Sequence, residues 1–106
     1  MTVKRIWHGW TTPEKADEYQ NLLQREVSVG IEKMEIAGLT RFEMMRRDLG
    51  DVVEFVTIME FTDIEAVKRF VGEDYEQCYV PPAARAVLKR FEERSAHYEL
   101  LEARTY

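Results

Sequence analysis

Two histidines, and the aromatic and charged groups spaced around them, are the residues of this chain best suited to chemistry. His8 and Trp10 alternate on one side of the segment VKRIWHGW, with Ile6 beside them. An imidazole there can take a proton near neutral pH, and an indole two residues on can stack against a flat molecule. The same pair also fits a plain interior role, with Trp10 packed on a helix and His8 held by a hydrogen bond. His97 and Glu99 stand two apart near the end of the chain, a spacing that suits either acid–base work or a polar contact between subunits. Tyr75, Cys78 and Tyr79 share one loop-like stretch, where a phenol can orient a substrate oxygen or simply anchor the loop. Cys78 has no cationic neighbour in sequence and is not read as a nucleophile. No Cys/His cluster has metal-site spacing, so no metal ligand is expected.

The elements that must position these groups are legible from periodicity. Val3 to Trp10 reads as a first strand, with Ile6, His8 and Trp10 on one face and Arg5, Trp7 and Gly9 on the other. Thr12-Pro13-Glu14 opens a helix, with a capping hydroxyl, a preset φ and an acid at the positive end of the dipole. Ala16, Tyr19, Leu23, Val27, Ile31 and Met34 form its apolar stripe; Gly30 is a weak point and Gly38 a stop. The stretch TRFEMMRRDLGDVVEFVTIMEF, Thr40 to Phe61, is a hairpin. Pairing Asp48 with Asp51 gathers Phe42, Met44, Val53, Phe55, Thr57, Met59 and Phe61 on one face, with Arg46 the odd charge among them. The other face mixes Arg41, Glu43, Arg47 and Glu54 with Met45, Val52, Val56 and Ile58, too apolar a set to be left in water.

Thr62 and Glu65 have capping-box spacing before a second helix with Ile64, Val67, Phe70 and Val71 buried, ended by Gly72. Pro81-Pro82 starts a short helix carrying Ala83, Val87, Leu88 and Phe91, and Ser95 to Leu101 reads as a fourth strand. The order strand, helix, strand, strand, helix, short helix, strand predicts a ferredoxin-like α+β sandwich: a four-stranded antiparallel sheet with helices on one face. The chain, residues 1–106, is expected to be one domain. Its mixed hairpin face asks for a second copy, with Trp7 near that junction, so a homodimer is expected.

Composition narrows the function. A net charge of −5 argues against nucleic-acid partners, which need cationic contacts to phosphate. No apolar run is long enough for a bilayer, so no membrane partner is expected. One cysteine fits a reducing compartment, and a cytoplasmic location is the simplest reading. There is no nucleotide-binding glycine pattern, P-loop or flavin fingerprint, and no cofactor is expected.

Several stretches carry a family resemblance: RIWHGWTTPEKADEY at the start, AGL after the first helix, RRDLGDVVEFVTIMEF across the hairpin, then GEDYE and VPPAARAVLKRFEERSAHYE. With the element order, they make nearly the whole chain resemble the antibiotic-biosynthesis-monooxygenase family of dimeric α/β-barrel proteins. The resemblance implies a homodimer with facing sheets and a pocket in each subunit between sheet and helices. It also implies a cofactor-independent oxygenase acting on a small aromatic or quinol molecule, or a dimeric binding or stress-related module without turnover. On the first reading His8 is the general base, and Trp10, Phe42, Arg46, Phe55, Met59 and Tyr75 surround the substrate. The haem-degrading branch of the family fits poorly: strand one has no asparagine, and Phe70 and Val80 stand where that branch has tryptophan and histidine.

Overall fold

In strand β1 (Val3–Thr11), buried and half-exposed residues alternate without a break, because the strand runs through the middle of a sheet with one face covered. The computed structural model describes residues 1–106. β1 pairs antiparallel with β3 (Val53–Phe61) along its whole length, Val3 opposite Phe61 and Thr11 opposite Val53. β3 pairs in turn with β2 (Leu39–Asp48) at the sheet edge. The other flank of β1 holds two short strands in line, β4 (Arg90–Phe91) against Gly9 and Trp10 and β5 (Ala96–Glu99) against Val3 to Ile6. The expected fourth strand is therefore split, and Phe91 belongs to a strand and not to the preceding helix. Glu92 to Ser95 loop out between the halves.

One long helical rod crosses the covered face. It begins with a turn at Pro13–Lys15, continues as α1 (Ala16–Leu22), widens into a π turn at Leu23–Val27 and ends as α2 (Ser28–Lys33). Gly30 does not interrupt it. The predicted stripe is buried at Ala16, Tyr19, Leu23, Val27 and Ile31, whereas Met34 is 45% exposed. The second helix, α3 (Ile64–Val71), is capped by Asp63, whose carboxylate accepts from the Ala66 amide at 2.9 Å; Thr62 is not the cap. α4 (Pro82–Val87) starts at the second proline, as the double proline predicts. The topology is βαββαβ with a split last strand, a ferredoxin-like α+β fold.

The hairpin keeps its predicted faces but not its predicted register. Asp48 pairs with Val53 and Phe42 with Met59, two residues from the expected alignment. An even shift preserves every side chain's face. Four residues, Leu49 to Val52, make the loop, in which the Leu49 amide donates to the Val52 carbonyl at 2.9 Å and the Gly50 amide to Asp48 Oδ1 at 2.8 Å.

The inward faces of β1 and β3 and the rod stripe form the core. Phe61 and Val67 are wholly buried, and Tyr19 packs its ring edge on Phe55 at 4.8 Å between centroids. No helix is long and apolar enough to cross a membrane.

Candidate active site

The face of β1 turned to the helices is the one with Arg5, Trp7 and Gly9. This reverses the expected placement of His8 and Trp10. The pairing explains it: Arg5, Trp7 and Gly9 sit opposite Met59, Thr57 and Phe55, which belong to the apolar hairpin face. Both faces of this strand carry one tryptophan, so alternation alone did not distinguish inside from outside. Gly9 makes the inward position of Trp7 possible. A Cβ at residue 9 would lie 2.5 Å from the far edge of the indole, which lies back over the glycine. The Trp7 indole N–H donates to the Glu92 carbonyl at 2.8 Å, which fixes the ring.

A cleft of about 430 Å³ of empty space, partly open to solvent, lies between this face and the rod. Trp7, Phe42, Thr57 and Met59 line it from the sheet, and Tyr19, Leu23, Val27 and Ile31 from the rod. Phe70, Tyr79, Val80, Pro81 and Ala84 close the far side, and Arg5 and Ser95 supply polar groups. Leu23 and Val27 bound the π turn, a helical irregularity frequent at functional sites. The cleft is narrow, and only a small part of it admits a water.

Arg5 is the unusual group. It is 3% exposed, yet no carboxylate lines the cleft or pairs with it. Its Nη1 donates to the Tyr75 carbonyl at 2.6 Å and lies 3.1 Å from His97 Nε2, and its Nη2 donates to the Gln77 carbonyl at 2.6 Å. The Nε–H and the second Nη2 hydrogen have no partner in the chain. Burial lowers the pKa to about 10, against a raising effect from the nearby Cys78, so the guanidinium stays charged at neutral pH. His97 is held neutral for a related reason: burial, then repulsion from Arg5, push its pKa down to about 4. With Nε2 facing a donor, its proton sits on Nδ1, a buried atom that has no partner. Burial also raises the pKa of the Tyr19 phenol.

Two of the seven residues singled out from the sequence, Phe42 and Met59, line this cleft. Phe55 lies next to it, beneath Tyr19. Arg46 is drawn away, its Nη1 donating to Asp17 Oδ1 at 3.0 Å and Gln20 Oε1 at 2.8 Å, and it borders a separate hollow of about 420 Å³. Tyr75 stands behind Arg5, its ring edge-on to His97 at 5.2 Å. His8 and Trp10 stack on the opposite face of the sheet, where His8 Nδ1 meets Glu92 Oε1 at 2.7 Å and Arg90 covers the Trp10 ring at 4.0 Å. The premise that made His8 the base of an internal pocket does not hold. His97, for which acid–base work and a polar subunit contact were both open, faces the helices beside Arg5. Arg5, Trp7, Tyr19 and Ser95 were missed. For Arg5 and Trp7 the sequence signal was the cross-strand parity of β1 with the apolar side of β3; Tyr19 stood in the rod's apolar stripe.

No protein-family model and no curated protein matches the chain. Solved structures do. A Bacillus cereus protein provisionally assigned as an antibiotic biosynthesis monooxygenase superposes with a TM-score of 0.68 at 12% identity, over 99% of this chain and 98% of its own. SnoaB, a cofactor-independent oxygenase from Streptomyces nogalater, gives 0.65 at 16% identity, over 96% and 95%. A dimeric ferredoxin-like protein from an uncultured marine organism gives 0.60 at 13% identity, over 97% and 99%. At such identities the likeness is one of fold. The chain thus has, over nearly its whole length, the ferredoxin-like fold found in antibiotic biosynthesis monooxygenase structures.

Proposed function

We propose that this chain is a cofactor-independent oxygenase whose cleft takes a small, flat, oxidisable aromatic or quinol molecule. One observation carries the reading: a buried, charged Arg5 with unused N–H groups, standing without an acid in an otherwise apolar slot. Such a group stabilises an oxyanion far better than it would in water. A ring CH₂ conjugated with a carbonyl across the same ring, as in an anthrone, then ionises to an enolate with its oxygen on Arg5. The enolate electrons pass to O₂, and a C–O bond forms to give a hydroperoxide. Loss of water leaves a second carbonyl. The substrate loses two hydrogens and gains one oxygen, and O₂ ends as that carbonyl oxygen and one water. All electrons come from the substrate.

No carboxylate lines the cleft, and His97 is too weak a base to collect the proton, so the proton leaves to water at the mouth. Purified protein with anthrones and dihydroxynaphthalenes in air should therefore consume oxygen at a rate that climbs with the substrate's own ionisation. No step should follow a histidine titrating near its ordinary pKa of about 6.5. A rate that follows such a histidine, or that vanishes in His8→Ala, moves the chemistry off Arg5. The lack of a base in the cleft favours the alternative, a binding module without turnover; tight aromatic binding with no oxygen uptake selects it.

The outer sheet face supports the second part of the proposal, a homodimer. Ile6, Trp10, Val56 and Ile58 are only half-covered there and Met45 is 50% exposed. Lys4–Glu60 and Arg47–Glu54 pairs surround them with both signs of charge, so a two-fold copy meets opposite charges. The fold is shared with a protein described as dimeric. Ile58→Glu should convert a dimer to a monomer in sedimentation at micromolar concentration, and a monomeric parent protein would contradict the interface.

A further inference from the structure

Ser95 carries a buried hydroxyl that the chain leaves unused. It is 4% exposed, it lines the cleft, and its Oγ has no hydrogen-bond partner. A hydroxyl closed off from water is costly to leave unpaired, and an occupant of the cleft is in position to complete it. The loop before α4 fixes where this hydroxyl stands. Three successive backbone carbonyls there hold two separate groups. Tyr75 and Gln77 accept from Arg5 Nη1 and Nη2, each at 2.6 Å, and Glu76 between them accepts from the Ser95 amide at 2.7 Å. Serine and arginine are thus tied to one short stretch of backbone, and both line the cleft. They do not bond to each other, which leaves space between them for an atom of the occupant.

We propose that Ser95 is a further catalytic residue of this cleft: its hydroxyl donates to the same substrate oxygen that Arg5 holds, and the two form one oxyanion hole. The inference rests on the oxygenase reading, since the oxygen concerned is that of the enolate formed there. An enolate oxygen accepts more than one hydrogen bond, so the serine adds to the arginine and does not compete with it. A neutral ketone oxygen is the weaker acceptor. The Ser95 bond therefore strengthens as the ring proton leaves and charge reaches the oxygen. Both donors are positioned by backbone carbonyls before the substrate arrives, so little has to reorganise as that charge develops. No covalent bond to Ser95 forms or breaks. The ring proton still leaves to water, and the serine keeps its own.

The test uses the full chain and para-nitrophenol, a flat phenol whose ionised form is seen by its visible absorbance, with para-nitroanisole as the neutral control. The pH at which the bound phenol ionises, set against that of the free phenol, reads the preference of the cleft for phenolate. A hydrogen bond to a charged oxygen predicts that Ser95→Ala lowers this preference about thirtyfold. Ser95→Thr, which keeps a hydroxyl, should stay within about threefold of the parent, and nitroanisole should bind parent and both variants within about twofold. Oxygen uptake with an anthrone should fall about thirtyfold in kcat in Ser95→Ala with KM little changed, the mark of a donor engaged chiefly in the charged state. Ser95→Ala removes no hydrogen bond made by Oγ within the chain, so its urea unfolding should match the parent and separate loss of the donor from loss of the fold. An unchanged phenolate preference or an unchanged kcat in Ser95→Ala overturns the inference and leaves Arg5 as the lone donor of the oxygenase reading. A loss shared equally by phenolate, phenol and nitroanisole overturns it too, because that is what a packing or water-bridging serine gives. A parent protein with no preference for phenolate removes both donors. A phenolate preference that depends on Ser95, in a parent that consumes no oxygen, keeps the two-donor oxyanion site and withdraws only turnover.

Discussion

Gly38→Ala is expected to cost about 3 kcal/mol of folding stability, against about 1 kcal/mol for Gly50→Ala. Both glycines have positive φ, +96° and +94°, so alanine strains the backbone equally at each. They differ in what surrounds them. A Cβ at Gly50 meets nothing within 4 Å, whereas one at Gly38 would lie 2.6 Å from the Ala66 Cβ and 2.7 Å from Thr62 Oγ1. Ala66 is wholly buried and cannot retreat. The approach is also bonded, with the Thr62 amide donating to the Gly38 carbonyl at 2.8 Å. Gly38 therefore ties the end of the helical rod to the start of α3, and the rod is one wall of the cleft. Equilibrium urea unfolding of the two variants separates strain from crowding. Equal losses would show that close packing at Gly38 contributes nothing.

The elements were legible because each is written in a local pattern. The rod's stripe, the alternation of the hairpin, Gly72 as a stop and the second proline as a start needed only neighbours in sequence. The hairpin shows how far such reading extends: period two fixed the faces of Phe42 and Met59, while the loop conformation, which sets the register, depended on a hydrogen bond from Leu49 to Val52. Asp63 capped α3 although Thr62 was equally eligible by type, since the choice lies in backbone angles.

The candidate site was less legible, and β1 is the reason. Ile6, His8 and Trp10 looked like an interior face, and Arg5 and Trp7 looked like the one turned to a second subunit. Only the pairing of β1 with β3, a contact between residues about fifty apart, reverses this. A charged residue on the covered face of a central strand contradicts the usual patterning, and such local contradictions are where function concentrates. The π turn at Leu23–Val27 leaves no mark in the stripe that would have announced it.

Arg5→Met should slow any oxygen uptake with an anthrone by about a hundredfold or more and lower stability at neutral pH by about 2 kcal/mol. Two effects oppose each other in the stability. Deleting a buried charge returns its desolvation cost, and methionine fills much of the space. Against this, Tyr75 and Gln77 carbonyls and His97 Nε2 lose their donor, and the contact of the guanidinium with the Phe70 ring at 5.4 Å is lost. The second set wins because the partners remain in place after the charge has gone.

His97 reports the change independently. In the parent its folded pKa, about 4, lies below the unfolded value of 6.5, so between those pH values the unfolded chain binds more protons. Stability from this group is complete above the unfolded value and is lost as pH falls toward the folded one, by about 1–2 kcal/mol once the partial exposure of the ring is discounted. Removing Arg5 takes away the repulsive part of the shift and leaves the burial part. The His97 resonance should then titrate at a higher pH in Arg5→Met, and the acid-side loss of stability, which still begins at the unfolded value, should end at a higher pH and be smaller. Proton NMR titration and urea unfolding at pH 7 and pH 5 read both. An unmoved His97 titration would mean that the guanidinium does not hold the imidazole neutral, and with it the charged, desolvated Arg5 on which the cleft's chemistry depends would be withdrawn.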